Sequence, residues 1–412
     1  MTRNCAKGLG KTPAGLMKPV IPGISCVPGS LNYTLKSKSR MPKLLLFANT
    51  DWYLYNFRLA LAKELRAQGN EVILLSPPGD FKDRLRQHGF QWLPFPLARQ
   101  GVNPFNELQT LWRLVRIYRQ VKPDVVHHFT IKPVIYGSLA AHLLGIPDII
   151  NSITGLGHLF IDPGLGTSLL RQIAKWLYRF SLRRTQVIFE NPEDRNIFIQ
   201  NKFIQPEQSH LIPGTGVDVE KFKPVPKKND LPLVLFSSRL LVTKGLLEFV
   251  DAARLLRQKG IKARFAIAGT PDPGNPASIP GGQIEAWKES GMVEIWGWQD
   301  DMPSVLARTD IFCLPSYREG VPNALLEACA CGIPIVATDV PGCRDVVTHD
   351  RNGLLVPPRD SQSLADALEK LLADPKLRDA MGRAGRQVAV EKFSLRHNIE
   401  QNLHIYHGFL GQ

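Results

Sequence analysis

Two carboxylates eight positions apart, Glu319 and Glu327, stand in a segment that runs from Ser316 to Gly332. The apolar run Ile311–Pro315 ahead of them reads as a buried strand. The loop Glu319-Gly320-Val321 follows, and Pro322 suits the first turn of a helix. Backbone N–H groups from Asn323 and Ala324 onward then face outward with the helix dipole, an arrangement suited to phosphate. Glu327 lies further along the same helix, placed to accept hydrogen bonds from vicinal hydroxyls such as those of ribose. A hydrolytic carboxylate pair is the other reading. Eight helical residues span about 12 Å, whereas hydrolytic carboxyls sit about 5–9.5 Å apart, so two separate binding tasks fit the spacing better. A pair of cations, Arg239 and Lys244, occupies another strand-to-helix loop, Ser237 to Gly245. Such cations can neutralise a departing diphosphate without a metal; the plainer alternative is a solvated loop with two surface charges.

Other chemistries lack their residues. Gly155-Leu-Gly157 is followed by Phe160 where a dinucleotide fingerprint needs a third glycine, and no G-x-x-x-x-G-K-[ST] occurs. No Ser/His/Asp or Cys/His nucleophile array stands out. Cys313, Cys329, Cys331 and Cys343 lack paired zinc-ligand spacing, and Cys313 falls in an apolar strand; buried thiols are the expectation. No Asp-x-Asp is present, and the adjacent Asp300-Asp301 suits a helix cap. No metal and no cofactor are expected.

The elements that must carry these loops are those of a two-part α/β chain. Short apolar runs alternate with amphipathic stretches, the pattern of parallel layers. Strands are expected at Leu44–Ala48, Glu71–Ser76, Val125–His128, Ile149–Ser152, Val187–Glu190 and Ser209–Ile212, with a helix over Phe57–Gln68. A Pro- and charge-rich stretch, 223–232, reads as a linker. A second series follows at Leu233–Ser237, Ala263–Ala268, Val293–Trp296, Ile311–Pro315 and Pro334–Ala337, with helices at Leu246–Gln258, Ala324–Ala330, Leu364–Leu372 and Leu377–Val390. The expected domains are 41–222 and 233–395, with a polar tail or helix over 396–412 that crosses back toward the first domain. Residues 1–40, rich in Gly, Pro, Ser and Lys, show no sustained period and are expected to be disordered and not native to the enzyme, with Met41 as the start. Open parallel sheets bind ligands beyond the carboxyl ends of their strands, so a ligand is expected between the two domains.

Arg239…Lys244 followed by Glu319-x7-Glu327 resembles the nucleotide-sugar site of the retaining family-4 glycosyltransferases of the GT-B fold. Pro213-Gly-Thr-Gly-Val-Asp218 resembles that family's pre-linker segment. The resemblance covers essentially all of 41–395. It implies α/β architecture with two Rossmann-like parallel-sheet domains facing across a cleft. It also implies that Glu319 contacts hydroxyls of the donor sugar, Arg239 and Lys244 hold the diphosphate, Glu327 binds ribose, and Glu294–Trp298 lies where the base is held. Asn49–Arg58, His127–Pro133 and Asn151–Gly157 are similar to segments of the enzymes that build capsule, O-antigen and protein-linked glycans on undecaprenyl diphosphate. Asn49, Tyr55, Thr154 and Gly155 are thereby placed on the acceptor side, Lys132 becomes a candidate for the acceptor diphosphate, and His128 a candidate catalytic group. Two departures stand out: Thr50–Tyr55 contains no glycine where the family has a glycine-rich loop, and His127-His128-Phe129 replaces a frequent His-x-His. The implied reaction moves a hexose or N-acetylhexosamine from a UDP-sugar to a lipid-diphosphate-linked saccharide, with the acceptor attacking on the face from which UDP leaves. The alternatives are another GT-B enzyme, an epimerase or a transferase with a soluble acceptor, and, at a distance, a nucleic-acid-binding protein.

The net charge of +14 over 412 residues invites that last reading. The charge is uneven: residues 1–40 hold seven basic residues and no acid, 41–230 carry +8, and 231–412 carry −1. Arg113, Arg116 and Arg119 interleave with Trp112, Val115 and Tyr118, and Lys175, Arg179, Arg183 and Arg184 with Trp176, Tyr178 and Phe180. Basic residues beside aromatics on amphipathic helices suit an anionic lipid surface; a solvated cationic face over an ordinary core is the alternative. No helix-turn-helix, zinc or RNA-type signature supports nucleic acid. No apolar run approaches the ~18 residues of a spanning helix, so the expected location is cytoplasmic, peripheral on the inner face of the plasma membrane.

Overall fold

A computed structural model describes residues 40–97, 104–155, 168–226 and 229–410. Of the expected leader only Arg40 falls among them. Strands buried on both faces need apolar side chains at successive positions, and the short runs supply them. Lys43–Phe47 (β1), Glu71–Ser76 (β2), Gln91–Pro94 (β3), Val125–Phe129 (β4), Asp148–Ile153 (β5), Gln186–Phe189 (β6) and Ser209–Leu211 (β7) form one sheet. Its order is β3-β2-β1-β4-β5-β6-β7, and every pairing is parallel. Leu233–Ser237 (β8), Arg264–Ala268 (β9), Glu294–Gly297 (β10), Ile311–Leu314 (β11), Ile335–Thr338 (β12) and Gly353–Val356 (β13) form the second, ordered β10-β9-β8-β11-β12-β13 and likewise parallel.

The helices that bear on the site are Pro104–Val121 (α1), Ser168–Ser181 (α2), Pro192–Gln200 (α3), Leu246–Gln258 (α4), Asn323–Ala330 (α5) and Leu395–Leu410 (α6). Two edge strands, β3 and β13, were not expected. β3 offers a single buried residue, Trp92, and β13 opens on Gly353, where a Cβ would lie 2.4 Å from the Ile335 carbonyl oxygen. The segment after 395 is a helix rather than a bare polar tail. Ile399, Leu403, Tyr406 and Leu410 recur at helical spacing and pack into the core of the first sheet beside Leu44 and Leu46. Asn398 donates to the Gly214 carbonyl (2.9 Å) and ties the start of this helix to the pre-linker segment.

In each sheet the chain reverses its lateral direction at one place, between β1 and β4 and between β8 and β11. At such switch points the loops leave in opposite directions and open a crevice beyond the strands' carboxyl ends. Asn49–Trp52 and Thr130–Lys132 leave the first; Ser238–Lys244 and Pro315–Gly320 leave the second. The loops that carry Lys244 and Glu319 are therefore among those the topology delivers to the crevice.

Candidate active site

Glu319 is the centre of the second crevice. Its Oε1 accepts from Lys244 Nζ at 2.5 Å and from Ser316 Oγ at 2.6 Å, with Lys244 and Glu319 side chains only 17% and 10% exposed. Two donors on one oxygen leave Oε2 without a protein donor among the described residues, a carboxylate oxygen available to a hydroxyl. The loop that presents Lys244 depends on Gly245, which has φ +73° and whose Cβ would stand 1.9 Å from the Pro315 carbonyl oxygen. A side chain there would push the two loops apart.

Pro322 lies one residue ahead of α5 instead of within its first turn. Leu325 N–H is bonded back to the Pro322 carbonyl (3.0 Å), so the N–H groups of Asn323 and Ala324 point off the end of the helix. Asn323 is fixed by the Thr215 hydroxyl, which donates to its Oδ1 (2.7 Å). Glu327 is half-buried, and burial pushes its carboxyl up to about 7, with Lys221 pulling the other way. A carboxylate that pays such a desolvation cost gains from hydroxyl donors.

Arg239 is turned outward and paired with Asp272 (2.7 Å) at 54% exposure, so the structure unites Lys244 with Glu319 and leaves Arg239 at the rim. Trp298, 52% exposed, donates through its indole N–H to Asp300 (2.9 Å) and meets Trp52 edge-on with centroids 6.3 Å apart. Trp52 belongs to the helical run after β1, so this contact crosses between the two sheets. Asp301 caps the helix Met302–Ala307. Cys313, Cys329, Cys331 and Cys343 are buried.

The first crevice departs from expectation. His128 is fully buried: its Nδ1 bonds Asn151 Oδ1 (2.9 Å) and its Nε2 the Tyr118 hydroxyl (3.0 Å). Burial lowers it to about 4. His127 on the opposite face of β4 is equally enclosed between Tyr406 and Ser152, 2.7 Å from each. Neither imidazole reaches the crevice, and the catalytic assignment of His128 is corrected to a core hydrogen-bonding role. Lys132 donates to Glu107 of α1 (2.7 Å), with both side chains under 20% exposed. Tyr55 packs on Phe81 and His88. Asn49 lies half-buried just past β1, while the Thr154 carbonyl and Gly155 lie past β5, Thr154 facing Gly320.

The residues that sequence reasoning missed are Glu190, Asn191 and Asp194, at the end of β6 and the start of α3. Glu190 Oε2 accepts from Val321 N–H (3.1 Å), Asn191 Nδ2 donates to the Gly320 carbonyl (3.3 Å), and Asp194 pairs with Arg318. Arg318 also stands 3.6 Å from Glu193. A Cβ on Gly320 would lie 2.4 Å from Glu190 Oε2 and 2.9 Å from the Thr154 carbonyl oxygen. Glycine is what allows the first sheet's loops to approach the Glu319 loop this closely.

The profile "Glycosyl transferases group 1" matches residues 218–388, and "Glycosyl transferase 4-like" matches residues 43–191. The chain is 30% identical over 352 residues to the N,N'-diacetylbacillosaminyl-diphospho-undecaprenol alpha-1,3-N-acetylgalactosaminyltransferase of Campylobacter jejuni, covering 82% of this chain and 91% of that protein. It is 26% identical over 325 residues to the UDP-Gal:alpha-D-GlcNAc-diphosphoundecaprenol alpha-1,3-galactosyltransferase of Escherichia coli, covering 76% and 82%. Among solved structures, a glycosyltransferase from Rickettsia africae superposes with a TM-score of 0.72 at 19% identity, covering 90% of this chain and 99% of that one. Anabaena HepE in complex with UDP superposes with a TM-score of 0.70 at 19% identity, covering 89% and 100%. With two parallel sheets, paired switch-point loops and this match along nearly its whole described length, the chain belongs to the group 1, family-4-like glycosyltransferases of the GT-B fold.

Proposed function

We propose that this glycosyltransferase moves a hexose or N-acetylhexosamine, with retention, from a UDP-sugar to a polyprenyl-diphosphate-linked saccharide at the cytoplasmic face of a membrane, in assembly of a surface polysaccharide or glycan. The observation that carries the donor side is the Lys244–Glu319 pair beside the N-terminus of α5. Lys244 and the first N–H groups of α5 take the diphosphate, Arg239 joins them on leaving Asp272, Glu327 takes ribose hydroxyls, and the backbone around Trp298 takes the base. The free oxygen of Glu319 accepts from donor-sugar hydroxyls. The acceptor hydroxyl enters on the face from which UDP departs, and a diphosphate oxygen takes its proton. No metal is assigned a role.

The acceptor side rests on the two relatives named for diphosphoundecaprenol acceptors and on one face of the first domain. Phe105, Leu108 and Trp112 of α1 are 84%, 66% and 61% exposed, and with Leu143 they line an apolar groove of about 570 Å³. Trp176 and Phe180 of α2, both exposed, stack 5.6 Å apart. Exposed apolar patches of this kind mark interaction surfaces, and the arginines along α1 and α2 supply the charge that favours anionic lipid. No helix among the described residues is long and apolar enough to cross a membrane.

Liposome flotation tests this face. Residues 41–412 are expected to float with vesicles containing about 30% anionic lipid and to release at about 1 M salt. Trp112→Glu with Trp176→Glu is expected to weaken flotation at least about tenfold. A wild-type chain that stays at the bottom of the gradient at low salt contradicts the membrane reading. UDP release with lipid-linked against soluble saccharides separates this function from a soluble-acceptor transferase or an epimerase.

A further inference from the structure

The loop that carries Glu319 is held from both sides, and only one side belongs to its own domain. Within the second domain, Lys244 and Ser316 bind the carboxylate, and Glu319 N–H donates to the Pro341 carbonyl (3.3 Å). From the first domain come three hydrogen bonds, and they fall on Arg318, Gly320 and Val321, on either side of Glu319: Asp194 with Arg318, Asn191 to the Gly320 carbonyl, and Glu190 from Val321 N–H; Glu193 adds a longer ion pair to Arg318. All three partners lie within five residues at the carboxyl end of β6. Asn191 at the same time caps α3, accepting from Asp194 N–H at 2.8 Å. The segment is thus tied to the start of α3 as well as to the donor loop.

Glu190 is an unusual residue to find there. It is 8% exposed, and burial pushes its carboxyl up to about 7 while the Arg58 guanidinium and the Val321 N–H pull it down and Asp194 and Glu319 add repulsion. Arg58 is itself 4% exposed, hydrogen-bonded to the Tyr53 hydroxyl and stacked over Phe129 at 4.4 Å. A buried acid and a buried base set behind a catalytic loop are costly features to keep unless they fix a geometry.

We propose that Glu190, with Asn191 and Asp194, is an interdomain latch: a set of positioning residues that seats the Glu319–Val321 loop only when the first domain has closed on it. This rests on the donor-site reading of Glu319. The latch touches backbone and Arg318, not the reacting atoms. Its consequence is that the sugar-facing carboxylate acquires its working position from the acceptor domain, so that donor chemistry is completed by closure. The latch touches neither Lys244 nor the start of α5, where Asn323 is held by the Thr215 hydroxyl instead.

The test uses the full chain with Glu190→Ala, Glu190→Asp and Glu190→Gln. Aspartate keeps the charge and shortens the reach; glutamine keeps an oxygen at the same reach. Hydrogen exchange followed by mass spectrometry reads the latch directly. In Glu190→Ala and Glu190→Asp, peptides spanning 318–322 are expected to exchange at least about tenfold faster than wild type, and in Glu190→Gln within about threefold of it. In turnover, kcat is expected to fall at least about tenfold in Ala and Asp and to recover in Gln, while UDP affinity stays within about threefold throughout. If the alanine chain does not fold, the aspartate chain decides. Unchanged exchange in Ala and Asp overturns the latch, as does a kcat loss that glutamine does not repair. A wild type without transferase activity would overturn the donor-site reading instead, and the exchange result would still decide whether the two domains are latched through Glu190.

Discussion

Replacing Glu319 by alanine is expected to lower turnover about 1,000-fold while UDP affinity stays within about threefold. The split follows from the geometry. One oxygen of the carboxylate is committed to Lys244 and Ser316, which fixes the rotamer; the other has no protein donor among the described residues and, in the proposed function, accepts from the donor sugar. An interaction that strengthens only as the sugar acquires positive character is lost from kcat and not from nucleotide binding. The fold should survive, because Lys244 is 17% exposed and can turn to water when its partner is gone. Circular dichroism checks that point, and equilibrium UDP titration with single-turnover transfer checks the rest. A variant with near-wild-type turnover would remove Glu319 from the chemistry.

Lys244→Ala is expected to behave differently, with turnover down about 100- to 1,000-fold and UDP affinity down at least about tenfold. Lys244 has two tasks in this arrangement. It orients Glu319, and its ammonium is a largely shielded charge, which in the proposed function meets the diphosphate and is worth more there than an exposed cation. If it only oriented Glu319, Lys244→Ala would add nothing in a Glu319→Ala background. The account requires that UDP affinity still fall at least about tenfold in the double variant, while turnover falls by less than the product of the two single losses. Additive turnover losses would separate the two side chains functionally, against their 2.5 Å contact.

Why Lys244 and Glu319 were legible in the sequence, and Glu190 and His128 were not, has a physical answer. The first pair lies in strand-to-helix loops whose apolar strands and glycines are written locally, and such loops in a parallel sheet have one place to go. β4 misled because Val125–Phe129 is buried on both faces. In such a strand a histidine needs partners, and these come from distant elements: Tyr118 in α1, Asn151 in β5 and Tyr406 in α6. Lys132 offered a cation in a suitable loop, and its partner Glu107 lies on another helix. The contacts of Glu190, Asn191 and Asp194 join residues more than a hundred positions apart across two domains, and no local pattern announces them. α6 was half legible: its apolar stripe has helical spacing, but Arg396, His397, Glu400 and Gln401 around it read as a tail until the first sheet's core is seen to need a cover.

The +14 net charge sorts in the same way. It suggested nucleic acid when taken as a property of the chain, yet it is concentrated in residues 1–230. In the structure, exposed aromatic side chains accompany the arginines of α1 and α2, the face that the proposed function turns to a membrane.

The central claim is transfer from a UDP-sugar to a lipid-diphosphate-linked acceptor. It is tested most directly by incubating the protein with radiolabelled UDP-sugars and either a polyprenyl-diphosphate-linked saccharide or the same saccharide without lipid, then partitioning the label between organic and aqueous phases. The account predicts a labelled organic-phase product with one UDP-hexose or UDP-N-acetylhexosamine, formed at least about tenfold faster than any product on the free saccharide, with the anomeric configuration of the donor retained. Label that appears only on the free saccharide, or a new linkage of inverted configuration, would contradict it.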